Sequence, residues 1–199
     1  NGVDADYFAP DESRASPFSV DETPIVFTGA MDYLPNIDAV RWFVSEMMQA
    51  LLEKRPQLRF YIVGRSPTPE VLALAGENVI VTGTVPDVRP YLQYAAVVVA
   101  PLRIARGIQN KILEAMAMAR PVIASTECAA AVDAEFGTEL KTATTPTDFV
   151  TEIDALLRDP ESCLSIGRAA RQRVIAQYSW EVHLAKIDHY LPTAQRDAA

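Results

Sequence analysis

A glycine, a lysine and a glutamate lie close together where the sequence passes from a loop into a helix. Gly107 comes first, Lys111 follows after three intervening residues, and Glu114 comes one turn later. A helix N-terminus carries unpaired N–H groups and partial positive charge, so a glycine-bearing loop before it lets a phosphate approach the backbone. Lys111 would add a point charge, and the Glu114 carboxylate could accept hydrogen bonds from vicinal hydroxyls such as those of a ribose. The group predicts a site for a nucleotide conjugate, although Lys111 or Glu114 alone would also suit a solvated helix surface.

Short apolar runs alternate with amphipathic stretches and provide the elements that position this loop. The Val- and Ile-rich runs show little alternation, which is typical of strands buried on both faces of a parallel sheet. Strands are predicted at residues 24–28, 58–63, 78–81, 97–100, 121–124 and 139–142. Helices are predicted at residues 36–55, 70–75, 88–95 and 110–119, followed by two or three helices between 147 and 191. Asn36 is the expected cap of the first helix.

This order of elements predicts an α/β fold with a doubly wound, Rossmann-like parallel sheet of about six strands. Residues 1–22 are polar and without periodicity, so we expect an interdomain linker, followed by one domain over residues 23–192 and a frayed tail over 193–199. In such a sheet, ligands bind outside the carboxyl ends of the strands. The loop that contains Gly107 leaves one of these ends.

The composition argues against several classes of protein. The 199 residues carry a net charge of −8, and their Lys and Arg residues are scattered, which argues against a nucleic-acid surface. Two cysteines and two histidines lie in no metal-ligand spacing, so no metal site is expected. No apolar run approaches the roughly 20 residues of a membrane span. We expect a reduced cytoplasmic setting.

The sequence resembles the C-terminal, donor-binding domain of the GT-B glycosyltransferases, specifically the large retaining family called glycosyl transferases group 1, which uses nucleotide diphosphate sugars. The resemblance covers nearly the whole chain in the family's order. It rests on NGVD and YF near the start, PIVFTGAMDYLPN, FYIVG, VIVTGTVPD, Gly107, Lys111, Glu114, Ala115, Met116, Pro121, Val122, Ile123 and YSW near the end.

The resemblance implies a donor site at the carboxyl edge of the sheet. Lys111 and Glu114 would act in catalysis by positioning the donor and stabilising the leaving group. A strand-end turn and a surface cation remain ordinary alternatives for Gly29 and Arg65. The implied donor-binding residues are Gly29, Gly64, Arg65, Val81, Gly83, Arg106, Gly107, Ile108, Gln109, Asn110, Lys111 and Glu114.

Two departures from the family pattern concern charge. The family often carries Arg and Lys downstream of the position of Gly29, where this chain has Asp32 and Asn36. Its motif of two glutamates separated by seven residues places Arg106 where the first glutamate would contact the donor hexose. A cation cannot accept hydrogen bonds from sugar hydroxyls as a carboxylate does. The identity of the donor sugar therefore stays open, as does the choice between UDP and GDP, because the base would be held through backbone groups near Val81 and Gly83.

The function implied by the resemblance is hexosyl transfer from a nucleotide diphosphate sugar, with retention, in polysaccharide or glycolipid biosynthesis. No cofactor is expected beyond the donor substrate. The chain would be the second half of a longer enzyme, so we expect it to bind nucleotide weakly and to be inactive without an N-terminal acceptor-binding domain. The expected location is cytoplasmic, with a peripheral position at the inner membrane face as an alternative. A GT-B nucleotide-sugar epimerase domain and a non-catalytic regulatory α/β module are the competing hypotheses.

Overall fold

The computed structural model describes residues 2–104, 106–182 and 184. Within them, six parallel strands form one sheet. The strands are β1 (Thr23–Thr28), β2 (Leu58–Val63), β3 (Val79–Gly83), β4 (Val97–Ala100), β5 (Val122–Ser125) and β6 (Lys141–Ala143), in the spatial order β3-β2-β1-β4-β5-β6. The predicted fold class is confirmed, with the last strand beginning and ending slightly later than predicted.

The strand order reverses direction between β1 and β4. From β1 the chain adds β2 and then β3 on one side, and it returns to add β4, β5 and β6 on the other. The loops that follow β1 and β4 therefore diverge at their carboxyl ends and leave a crevice, which is where open α/β sheets bind ligands. Strands β1, β2, β4 and β5 are buried along most of their length, as continuous β-branched runs require, whereas the outer strands β3 and β6 are mostly half-buried.

Helices connect these strands, and two more follow the last strand. They are α1 (Leu34–Glu46), α2 (Met48–Lys54), α3 (Pro69–Leu72), α4 (Arg89–Tyr94), α5 (Asn110–Ala117), α6 (Thr126–Ala129), α7 (Pro146–Arg158) and α8 (Pro160–Gln177). The two last helices account for the predicted helical region as far as residue 177. Residues 183 and 185–191 of that region, and the predicted frayed tail at 193–199, lie outside the described residues.

The prediction of one helix over residues 36–55, capped by Asn36, was wrong in two respects. The helix begins earlier, at Leu34, because Pro35 is suited to a first helical turn, and the cap position is Tyr33. It also ends at Glu46, where Met47 leaves helical geometry at φ −119° before α2 starts. Met47 and Met48, at the break between the two helices, are both buried.

The segment before β1 packs against the domain. The Val3 N–H donates to the Tyr178 carbonyl oxygen at 2.8 Å, and the Arg171 guanidinium donates to the Phe8 carbonyl at 3.0 Å. The Phe18 ring lies 4.6 Å from the Tyr61 ring of β2. Residues 2–22 are thus held at both ends by contacts with distant parts of the chain.

Candidate functional site

A cleft of about 480 Å³ opens at the carboxyl ends of β1, β2 and β3 and faces the first turn of α5. It lies beside the point at which the strand order reverses. Its lining residues are Thr28, Gly29, Ala30, Val63, Gly64, Arg65, Thr84, Val85, Val88, Gln109, Asn110, Lys111 and Glu114. Seven of the residues predicted from the sequence are therefore brought together here: Gly29, Gly64, Arg65, Gln109, Asn110, Lys111 and Glu114.

Two glycines form the floor of this cleft, because the ends of β1 and β2 approach each other too closely for side chains. A Cβ atom on Gly64 would lie 1.6 Å from the Gly29 carbonyl oxygen. The Gly29 N–H continues the strand pairing by donating to the Val63 carbonyl at 3.0 Å. Both glycines leave backbone exposed at the cleft, which suits a ligand that must approach the main chain.

Lys111 is the cation of the cleft. Its ammonium donates a hydrogen bond to Asn36 Oδ1 and lies 4.1 Å from the centre of the Phe27 ring. Burial lowers the pKa of Lys111 to about 7, and the fields of Cys128 and Glu114 oppose that shift only in part. Lys111 is half-buried, and a partly desolvated cation that a nearby carboxylate balances only in part favours an anionic ligand.

Glu114 lies one turn further along α5 and is half-buried. Burial raises the pKa of its carboxyl above the ordinary value, and the nearby Lys111 opposes the shift. As a carboxylate it can only accept hydrogen bonds, so its partners in a ligand would be hydroxyl or amine donors. Glu114 and Lys111 therefore offer the cleft an acceptor and a donor of opposite charge on one helix face.

The family of the chain follows from its sequence. Residues 22–159, more than half of the chain, match the profile of the family described as Glycosyl transferases group 1. The chain belongs to this glycosyltransferase family. No curated protein sequence matches it.

Solved structures share the fold of this group 1 domain, at identities that show the fold alone. HepE from Anabaena, in complex with UDP and glucose, is 15% identical, with a TM-score of 0.74 and coverage of 96% of this chain and 55% of that chain. Sucrose-phosphate synthase from Thermosynechococcus elongatus is 23% identical, with a TM-score of 0.75. The match covers 95% of this chain and 50% of the synthase chain. The C-terminal domain of the group 1 protein LpcC from Francisella tularensis is 18% identical, with a TM-score of 0.66 over 90% of this chain and 100% of that one.

These matches place the fold as that of the C-terminal domain of GT-B glycosyltransferases. The chain spans about half the length of the HepE and sucrose-phosphate synthase structures. Among the described residues, no helix is long and apolar enough to cross a membrane. Nor does the described part of the chain contain a cluster of three or more metal-ligating side chains.

The remaining predicted site residues of this glycosyltransferase domain are not among the residues that line the cleft. Val81 and Gly83 belong to β3 and are half-buried, whereas Arg106 and Gly107 are exposed in the loop before α5. Gln109 Nε2 donates to the carbonyls of Arg106 at 3.3 Å and Gly107 at 3.4 Å, which ties that loop to the start of α5. Ile108 packs partly against the core.

Sequence reasoning missed part of the lining. The missed residues are Thr28, Ala30, Val63, Thr84, Val85 and Val88. Most of them adjoin a predicted glycine or strand end, so extending each strand end by one or two residues would have found them. Asn36 was also missed as a partner of Lys111, because its position before an apolar helical pattern suggested a cap.

Proposed function

We propose that the chain is the nucleotide-sugar donor-binding domain of a glycosyltransferase and that the cleft holds the donor diphosphate. The observation that carries the proposal is the placement of the half-buried Lys111 beside the backbone of Gly29 and Gly64 in one cleft. A diphosphate is an anion that can approach backbone and lysine together. The solved structure of HepE in complex with UDP and glucose, which has this fold, supports the choice of ligand.

The parts of the donor would divide among the elements of the cleft. The diphosphate would lie between the N-terminus of α5 and the glycine floor, with Lys111 and Arg65 as its cations. Glu114 would accept hydrogen bonds from the two ribose hydroxyls. The base would lie against the end of β3, where Thr84 and Val85 line the cleft and Val81 and Gly83 precede them.

In catalysis the bond between the sugar and the diphosphate breaks, and negative charge grows on the departing nucleoside diphosphate. The Lys111 ammonium and the N–H groups at the start of α5 are fixed in place before that charge appears, so they stabilise the leaving group with little reorganisation. Glu114 would hold the ribose and keep the diphosphate against Lys111. These charges are why we expect nucleotide binding without a divalent cation.

The proposal extends to the whole enzyme through the family. We infer transfer with retention of configuration to an acceptor held by an N-terminal domain, so the chain alone would bind nucleotide and transfer nothing. Arg106, Gly107 and Ile108 would contribute to the side of the cleft where the sugar lies. The setting that we propose is cytoplasmic biosynthesis of a polysaccharide or glycolipid.

Calorimetric titration of the chain with UDP and with GDP, each with and without magnesium, tests the proposal. We expect one nucleotide to bind in preference to the other and magnesium to change its affinity little. Uridine and guanosine serve as controls, and they should bind far more weakly because they lack the diphosphate. Absence of binding at millimolar nucleotide, or equal binding of nucleoside and nucleotide, would contradict the assignment of this cleft.

A further inference from the structure

Asn36 is a buried polar residue that makes two hydrogen bonds at the edge of the cleft. Its side chain is 5% exposed, although it belongs to the first turn of α1, where an asparagine is usually solvated. Its Nδ2 group donates to the Ala30 carbonyl at 2.8 Å, and its Oδ1 atom accepts from the Lys111 ammonium. One amide therefore joins three elements: the loop after β1, α1 and α5.

The arrangement requires the glycine at position 29. A Cβ atom there would lie 2.6 Å from Asn36 Nδ2 and 3.1 Å from Lys111 Nζ. Gly29 thus leaves the space that the amide and the ammonium occupy. The three residues form one packed unit, which we call the lysine clamp: Gly29, Asn36 and Lys111.

The acceptor in the lysine clamp is neutral. Among the described residues, no carboxylate forms an ion pair with Lys111. The groups that face the ammonium are the Phe27 ring from β1, Asn36 from α1, Glu114 from α5 and Cys128 from α6, while the exposed Arg65 lines the same cleft. An aspartate at position 36 would have the same shape and would neutralise the cation.

We propose that Asn36 is a positioning residue that holds Lys111 in the cleft without neutralising it, so that the lysine charge is kept for the ligand diphosphate. This inference rests on the proposed function of the cleft and assigns a role to a residue that does not touch the ligand. Asn36 fixes where the ammonium lies, and because Asn36 is neutral the charge is compensated only in part, by the field of Glu114, until an anion binds.

The lysine clamp couples ligand binding to the uptake of protons. Because burial lowers the pKa of Lys111 to about 7, a share of the lysine is neutral at neutral pH in the free protein. A bound diphosphate favours the ammonium form and raises that pKa, so binding takes up a proton. Affinity should therefore fall as pH rises above about 7, by up to about tenfold per pH unit, until the pKa of the complex is reached.

The first experiment reads Lys111 directly, without ligand, by NMR titration of its side-chain carbon and nitrogen. In Asn36→Asp we expect the pKa of Lys111 to rise by about one unit or more, because an opposite charge favours the ammonium. In Asn36→Ser, which is too short to keep the hydrogen bond, the pKa should fall further. Asn78→Asp is the control. It adds the same charge just before β3, at the amino ends of the strands and therefore away from the cleft, and it should leave the pKa of Lys111 unchanged.

The second experiment measures binding of UDP-glucose and of GDP-mannose, whose esterified phosphates do not titrate near neutral pH. Calorimetry in buffers of different ionisation enthalpy gives the number of protons taken up. The unaltered chain should take up part of a proton at pH 7.5. Asn36→Asp should bind roughly tenfold more weakly with uptake near zero, whereas a purely structural defect would weaken binding and leave uptake as it was.

The outcomes separate this inference from the proposed function. If the unaltered chain binds neither nucleotide-sugar, the proposed function fails, and the NMR titration still tests the clamp. If it binds and Asn36→Asp changes neither the Lys111 pKa nor the proton uptake, the positioning role is overturned. Should both Asn36 variants unfold, the side-chain amide resonance of Asn36 in the unaltered chain must titrate together with Lys111. An Asn36 amide signal whose chemical shift does not change as Lys111 titrates would also overturn the inference.

Discussion

The two sides of the cleft are built differently. On one side the ends of β1 and β2 touch, and the Lys111 ammonium contacts both Asn36 and the Phe27 ring. On the other side Arg106 and Gly107 are exposed in the loop between β4 and α5, and Gln109 donates long hydrogen bonds to their carbonyls. On the packed side the groups that would contact a phosphate are in place before the ligand binds, whereas on the open side Arg106 lies in an exposed position.

The largest effect that tests this contrast should come from Gly64→Ala on the packed side. The new Cβ atom would lie 1.6 Å from the Gly29 carbonyl, so β1 and β2 must separate. We expect a loss of roughly 3 kcal/mol or more in the free energy of unfolding, measured by urea denaturation. Gly76→Ala is the matched control, because a Cβ atom there meets nothing within 4 Å. Equal stability of the two variants would show that the strand ends are not tightly packed.

Replacing Lys111 with Met should change binding and stability in opposite directions. Loss of the charged donor should weaken UDP or GDP binding by about 1.5–3 kcal/mol, measured by calorimetry. Lys141→Met, which removes an equal charge from β6, should leave binding unchanged. A Lys111→Met variant that binds as tightly as the unaltered chain would remove Lys111 from the phosphate site.

The same variant should be more stable than the unaltered chain, in a way that depends on pH. The folded-state pKa of Lys111 is lowered to about 7 from the ordinary value of 10.5, so between these values the unfolded chain binds more protons. The stability of the unaltered chain therefore rises with pH across that interval, and the penalty is complete below pH 7. The gain in melting temperature from Lys111→Met should be largest at acidic pH and vanish toward pH 10.5. A gain in melting temperature that does not vary with pH would contradict the lowered pKa of Lys111.

Glu114→Ala should weaken nucleotide binding moderately, through loss of the contact with the ribose alone. Binding of UDP or GDP should weaken by roughly 1–3 kcal/mol if the carboxylate accepts from the ribose hydroxyls. The 2′-deoxy nucleotide gives a sharper test, because the unaltered chain should discriminate against it and the variant should not. The exposed Glu127 provides the control variant Glu127→Ala. Undiminished discrimination in a folded Glu114→Ala variant would remove Glu114 from the ribose site.

Arg106→Glu on the open side should have the smallest effect. We expect nucleotide affinity to stay the same and the ratio of nucleotide-sugar to nucleotide affinity to change by a factor of about 2–5, as exposed charges usually contribute little. Calorimetry with UDP and UDP-glucose, or with GDP and GDP-mannose, measures the ratio. If nucleotide and nucleotide-sugar both weaken by the same factor, Arg106 contacts phosphate rather than the sugar.

The fold was largely predictable because its signals are local. Buried parallel strands read as short β-branched runs, and all six were found with small errors at their ends. The division of the predicted helix was not predictable, since no glycine or proline marks the interruption at Met47 in the sequence. Pro35 does indicate the true start of α1 at Leu34, because proline is suited to the first turn of a helix.

The candidate site was predictable in its residue types more than in its contacts. Gly29, Gly64 and Lys111 were each singled out, and the structure brings them to one cleft. The link between Asn36 and Lys111 joins residues 75 positions apart in the chain, and no spacing rule in one sequence reveals such a contact. Arg106 was placed by counting along a motif, which says nothing about whether its side chain faces the cleft.

The most direct test of the central claim is an amide NMR spectrum of the ¹⁵N-labelled chain recorded during titration with UDP and with GDP. We predict that the largest shifts will fall on Gly29, Gly64 and the first turn of α5, including Lys111, with smaller shifts near Thr84 at the end of β3. Shifts concentrated elsewhere on the domain, or a spectrum unchanged by millimolar amounts of both nucleotides, would contradict the assignment of this cleft as the donor site.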